Sequence, residues 1–152
     1  MLYFSYAVLM SRGQMKLICP TAKPVGRAVL HGYRMTFPRV SGTWMGGIPS
    51  LCSDAGEEVW GVLWEDSEDC LASLDDYQGF YGSDGANVFD RLAVEVTDAE
   101  GTTHAAFAYA ATGDNWGNHP PSSQFVDTVV RAAREFGLPE AYVAKLERLG
   151  PG

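Results

Sequence analysis

Three stretches of the chain place chemically useful residue types beside a break in regular structure. In LDDYQGF (74–80) a helix-like segment ends at Gly79, and Gln78 stands immediately before that corner. A primary amide donates through its NH₂ and accepts through its carbonyl, but it does not take up a proton as a carboxylate does. The second stretch is Tyr6-Ala7-Val8-Leu9-Met10, a turn after the first apolar run. The third is Gly46-Gly47 with Ile48 after it, where missing side chains let a ligand or another backbone come close. Ordinary turns outnumber ligand-binding ones, so none of the three names a reaction by itself. The usual constellations are absent: no GxSxG elbow, P-loop, GxGxxG or HExxH. His31 and His104 fall in strand-like segments and read as structural, and His119, beside Pro120-Pro121, reads as a loop residue. Asp54, Glu57, Glu58, Asp66, Glu68 and Asp69 read as solvated turns and helix starts. Trp44, Trp60, Trp64 and Trp116 read as core.

The elements that must position these residues are mostly strands. Leu2 to Val8 is a continuous apolar run, as in a strand buried on both faces. Gly26 to Phe37 alternates, with Gly32 placed for a bulge. Trp44 to Cys52 is short and glycine-rich, and Val59 to Trp64 is dense in β-branched and aromatic residues. Arg91 to Val96 and Thr103 to Ala110 flank a short polar loop and predict a hairpin. Ser67 to Asp76 predicts a short helix with Ser67 as N-cap. Ser122 or Ser123 caps a longer helix with the apolar stripe Phe125, Val126, Val129, Val130, Ala133 and Phe136. Gly137 ends it, and Pro139 begins a last helix with Tyr142, Val143, Leu146 and Leu149 inward. Strands followed by helices, without regular alternation, predict an α+β fold with a closed or strongly curled sheet.

A length of 152 residues predicts one domain, 1–152, with a real core. The net charge of −8 and the absence of a Lys/Arg cluster argue against nucleic acid and anionic membrane surfaces. Cys19, Cys52 and Cys70 are too few and scattered for a disulfide framework, and no spacing suggests a zinc site, so reduced cysteines are expected. The apolar start lacks a basic leader and a cleavage site, and it is too short to span a bilayer. A cytoplasmic location is the expectation.

Taken in order, LYFSYAVLM, CPTAKPVGRAVLHGYRMTF, WMGGIPSL, GEEVWGVLWE, SLDDYQGF and PPSSQFVDTVVRAAREFGLPEAYVAKLERL resemble the γ-glutamylcyclotransferase-like (AIG2-like) family over nearly the whole chain. The resemblance implies a small mixed β-barrel with flanking helices and a cavity at one end. It implies a Tyr-Gly-Ser-Asn-Leu turn after the first strand whose N–H groups cradle substrate oxygens. It also implies a Glu, in a Glu-Gly pair after a Leu-Asp helix, that acts as general acid/base. The freed α-amine then attacks its own γ-carbonyl and releases 5-oxoproline, with no metal or organic cofactor.

The departures fall on that chemistry. The turn is Tyr6-Ala7-Val8-Leu9-Met10, so its glycine, serine and asparagine are replaced by Ala7, Val8 and Leu9. The catalytic Glu position is Gln78, and two expected tyrosines are Phe89 and Phe125. A general base is worth ~10²–10⁴ in rate. The expectation is an enzyme that cyclises or rearranges a small, relatively apolar substrate, with Gln78 as the catalytic hydrogen-bonding residue. Tyr6, Ala7, Val8, Leu9, Met10, Gly46, Gly47, Ile48, Phe89 and Phe125 are expected to bind the substrate. The alternatives are a non-catalytic binding protein on the same scaffold, and a residual cyclotransferase whose base is Asp76, Asp84 or Asp90. The expected partner is a small molecule, and a homodimer is left open.

Overall fold

The computed structural model describes residues 1–82, 88–111 and 117–149. Asp84 and Trp116, both singled out in the sequence, lie outside the described residues. The chain folds as β1 (Leu2–Ser5), a 3₁₀ turn (Val8–Met10), α1 (Arg12–Ile18), β2 (Lys23–Ser41), β3 (Gly46–Glu65), α2 (Glu68–Gln78), β4 (Phe89–Asp98), β5 (Thr103–Ala111), α3 (Ser123–Glu135) and α4 (Glu140–Glu147). The strands close into a barrel in the order β1-β3-β2-β4-β5. All pairings are antiparallel except β1 with β5, which meet in parallel at Tyr3 and Phe107. The α+β barrel with flanking helices is the architecture expected from the sequence.

Alternation along the strands builds two cores. One face of all five strands supplies Phe4, Ala28, Leu30, Val59, Leu63, Val94, Val96 and Ala108, which fill the barrel. The other face supplies Tyr3, Val62, Trp64 and Tyr109, which pack against the stripe of α3 and against α4. In α3 the expected residues Phe125, Val126, Val129, Val130 and Ala133 are buried, and Ser122 accepts a hydrogen bond from the Phe125 N–H as its cap.

Several boundaries differ from the sequence reading. The two strands expected at 44–52 and 59–64 are one twenty-residue strand, β3, paired with the equally long β2. The polar, glycine-containing stretch between them is absorbed as a bulge opposite Gly32, whose φ of 83° only glycine adopts freely. The first strand stops at Ser5, because the chain coils into the 3₁₀ turn there. The helix α1 was not expected; Ser11 caps it through the Gln14 N–H. Ser67 stands at the N-cap of α2 but makes no side-chain cap bond. Gly79 ends α2 in the left-handed conformation, with φ 72°.

Two further expectations fail because tertiary contacts override local pattern. Cys19 and Cys70 form a disulfide across 51 residues, with Cα atoms 5.2 Å apart. Docking of α1 on α2 brings together two cysteines that no sequence spacing linked. Asp66, expected in a solvated turn, is only 5 % exposed. Its backbone N–H is tied to the Met1 carbonyl at 2.8 Å, which draws the end of β3 beneath the start of β1.

Candidate functional site

A cavity of about 180 Å³ opens on the helix side of the barrel. Its floor comes from β1 and the following turn: Tyr3, Ser5, Tyr6, Ala7, Val8 and Leu9. The far end of the β2–β3 ribbon adds Ser41, Thr43, Trp44, Ile48 and Pro49. The end of α2 adds Tyr77 and Gln78, and Phe89, Tyr109 and Phe125 complete the wall.

Local sequence explains each placement. Alternation in β1 turns Tyr3 and Ser5 to one face, while Phe4 points into the barrel. Ala7 enters the 3₁₀ turn at φ −131°, so this turn needs no positive φ and tolerates the side chain that stands where the related turn has glycine. The αL cap at Gly79 stops α2 with Gln78 as its last residue, facing the cavity. The end of α2 is anchored to the barrel by Asp75. Its carboxylate accepts from the Tyr109 hydroxyl at 2.6 Å and from Arg91 Nε at 3.0 Å, with Arg91 Nη2 completing the fork. The Tyr109 carbonyl in turn accepts the Tyr6 hydroxyl at 2.6 Å.

Among the described residues the lining contains no carboxylate, histidine, lysine or arginine. Burial pushes the Tyr3 phenol well above its ordinary value, with hydrogen bonding to Ser5 and Gln78 acting the other way. Burial, followed by its bond to Asp75, raises Tyr109 as well. Burial raises Tyr77 against the opposing hydrogen bond from Trp44. Each therefore remains a protonated phenol at neutral pH, able to donate a hydrogen bond. Tyr3, Ser5 and Gln78 gather two hydroxyls and one amide at one end of an otherwise apolar chamber.

The structure brings Gln78, Tyr6, Ala7, Val8, Leu9, Ile48, Phe89 and Phe125 to the lining, and leaves three sequence candidates out of it. Met10 is fully buried in the core under α3. Gly46 and Gly47 face another backbone, not the cavity. The Gly47 N–H donates to the Pro120 carbonyl at 3.0 Å, and a Cβ on Gly47 would lie 1.8 Å from the His119 carbonyl oxygen. The alternative bases are also elsewhere: Asp76 and Asp90 are exposed and do not line the cavity. Sequence reasoning missed Tyr3, Ser5, Tyr77 and Tyr109. The i, i+2 spacing of Tyr3 and Ser5 beside the Tyr6 turn was the available signal for the first two.

Cys19, Asp66 and Cys70 are the group of potential metal ligands among the described residues. With both sulfurs in the disulfide, the group has no thiolate to offer a metal. No helix among the described residues is long and apolar enough to cross a membrane.

Comparison with known proteins places this geometry in a lineage. The model of the AIG2-like family matches residues 58–146. The chain is 30 % identical over 154 residues to the γ-glutamylcyclotransferase of Mus musculus and 31 % identical to that of Homo sapiens, covering 99 % of this chain and 79 % of each relative. A solved γ-glutamyl cyclotransferase superposes with a TM-score of 0.89 at 30 % identity, covering 99 % of this chain and 88 % of that one. Of the solved structures, YkqA from Bacillus subtilis shares the fold at a TM-score of 0.77 and 23 % identity. A barrel of this strand order, a cavity floored by the turn after β1 and matches across the whole chain agree: the protein belongs to the AIG2-like, γ-glutamylcyclotransferase family.

Proposed function

We propose that the protein is a cyclotransferase-type enzyme that cyclises or rearranges a small, neutral, largely apolar substrate without a carboxylate base or a cofactor. One observation carries the reading. Gln78 stands with Tyr3 and Ser5 in a cavity whose other walls are Ala7, Val8, Leu9, Ile48, Phe89 and Phe125. A γ-glutamyl head group carries an ammonium and a carboxylate. Burying either without a partner costs several kcal/mol, on the order of the whole binding energy of a small ligand. A neutral molecule with one carbonyl suits the same space. The cavity of about 180 Å³ suits a small substrate.

In this reading the carbonyl oxygen meets the Gln78 amide and the tyrosine and serine hydroxyls. The apolar walls fold an internal nucleophile against the carbonyl carbon. An intramolecular attack draws on proximity worth up to about 7–11 kcal/mol. The proton lost by the nucleophile passes to the leaving atom of the same substrate, so no protein base is required. The neutral donors then stabilise the oxyanion as it forms. The lack of a carboxylate or histidine in the lining among the described residues also favours a second reading, a binding protein that releases its ligand unchanged.

The experiment incubates the protein and Gln78→Ala with small neutral amides and esters that carry an internal nucleophile, and follows products by mass spectrometry. The reading expects turnover that falls about 10²-fold or more in Gln78→Ala. Ligands that bind and return unchanged would establish the second reading. Turnover indifferent to Gln78→Ala would remove that residue's role.

A further inference from the structure

Outside the cavity lining, the disulfide between Cys19 and Cys70 lies against the buried acid Asp66. Cys19 is the C-cap of α1, and Cys70 sits in the first turn of α2. Asp66 is 5 % exposed, and its Oδ2 has no hydrogen-bond partner among the described residues. Its Oδ1 lies 3.9 Å from Cys19 Sγ. On the other sulfur, Thr21 Oγ1 lies 3.2 Å from Cys70 Sγ.

In the disulfide form neither sulfur has a proton to donate, so among the described residues the Asp66 carboxylate is buried without a hydrogen-bond donor. Such a group costs free energy. Once the bond is reduced, the Cys19 thiol is within reach of Oδ1, and the Thr21 hydroxyl serves the Cys70 sulfur. The surroundings of this pair are better satisfied in the dithiol than in the disulfide.

We propose that Cys19, Cys70 and Asp66 form a reversible thiol–disulfide exchange site for small thiols of the glutathione class, with Asp66 as the proton acceptor and donor for Cys19. The attacking thiolate forms a bond to Cys70, on the turn of α2 that opens, both cysteines being buried in the closed form. The Cys19–Cys70 bond breaks, and the Cys19 thiolate leaves and takes a proton from the Asp66 carboxyl. A second small thiol attacks the mixed disulfide, releases the small-molecule disulfide, and leaves the Cys70 thiol. Two electrons and two protons pass from the small thiols to the protein, the second proton restoring Asp66. Burial pushes the Asp66 carboxyl up to about 6, so near neutral pH it exists in both forms and serves either direction. Access requires opening of the first turn of α2, which Ser67 enters without a side-chain cap. The same helix ends at Gln78 in the cavity, so the exchange alters the mooring of a cavity-bearing element.

The test equilibrates the full chain in buffers of graded reduced-to-oxidised glutathione ratio, quenches with an alkylating reagent and counts modified thiols by mass spectrometry. A glutathione adduct on the free Cys52 is separated by its own mass. The expected result is that Cys19 and Cys70 pass together between disulfide and dithiol within the graded range, in both directions. Asp66→Ala and Asp66→Asn both move the midpoint toward the disulfide, Asp66→Ala by about tenfold, the weight of one hydrogen bond. The wild-type titration stands alone if a variant does not fold. A pair that stays disulfide, or stays dithiol, across the whole range overturns the proposal, and so does a midpoint unmoved by either folded variant.

Discussion

Replacing Asp75 by Ala removes the anchor that holds the end of α2 to the barrel. The Asp75 carboxylate receives two kinds of donor with unequal weight. Tyr109 is 2 % exposed, and its hydroxyl loses its acceptor, which costs about 1–3 kcal/mol. The Arg91 side chain is 34 % exposed and rests on the Phe80 ring, so its ion pair contributes about 0–1 kcal/mol. The sum is about 1–4 kcal/mol, most of it from the tyrosine. For a chain of this size each kcal/mol lowers Tm by about 2–4 °C, so Asp75→Ala melts about 2–16 °C early. Asp76→Ala, at the exposed neighbouring position, stays within about 0.5 kcal/mol of wild type. Urea unfolding of Asp75→Ala, Tyr109→Phe and the double variant completes the test. The account expects a coupling energy of about 1 kcal/mol or more between the two positions. Asp75→Ala melting with Asp76→Ala, or strict additivity with Tyr109→Phe, would refute the assignment of the anchor.

Other consequences are as direct. Gly47→Ala puts a Cβ on the His119 carbonyl and costs about 2–3 kcal/mol in urea unfolding, whereas Gly42→Ala, in open space, costs little. Equal effects would mean that the close approach of the two backbones does not matter. Tyr6→Phe leaves the Tyr109 carbonyl without its buried donor and lowers stability by about 1 kcal/mol, read from the same unfolding curves. Asp66 predicts a pH dependence. Its folded value of about 6 lies above the ordinary 3.8, chiefly because burial disfavours the charge, with the N-terminal ammonium opposing. The native state therefore binds more protons than the unfolded chain between about pH 4 and 6. Asp66 thus contributes stability below that window that is lost as pH rises through it. Melting in a pH series should show that decline for wild type and a flatter profile for Asp66→Asn; parallel profiles would contradict the assignment.

Much of the architecture was legible because it rests on local periodicity. The stripe of α3, the Ser122 cap, the hairpin around 98–103 and the bulge at Gly32 all follow from patterns within a dozen residues. What was not legible depends on approach between distant segments. The disulfide, the burial of Asp66 and the Gly47–His119 contact each join elements far apart in sequence, and a single chain carries no local trace of them. The long β3 was split in the reading because its middle is polar, and only pairing with β2 keeps it extended.

The candidate site divides the same way. Gln78 and the turn at 6–10 stood out because helix ends and turns carry strong sequence signals, and both reach the cavity apart from Met10. Tyr3 and Ser5 went unnoticed inside an apolar run that looked like plain core. Tyr77 and Tyr109 are side chains whose reach depends on the Asp75 anchor, which no spacing announces.

The central claim is that the cavity handles a neutral substrate without a carboxylate base. The most direct measurement incubates the wild-type protein with a panel of γ-glutamyl amines and amino acids and looks for 5-oxoproline by mass spectrometry. The account predicts none above the uncatalysed background. Catalytic formation of 5-oxoproline by the wild-type chain would show that the chamber accepts a charged head group and finds its base elsewhere, and the account would be wrong.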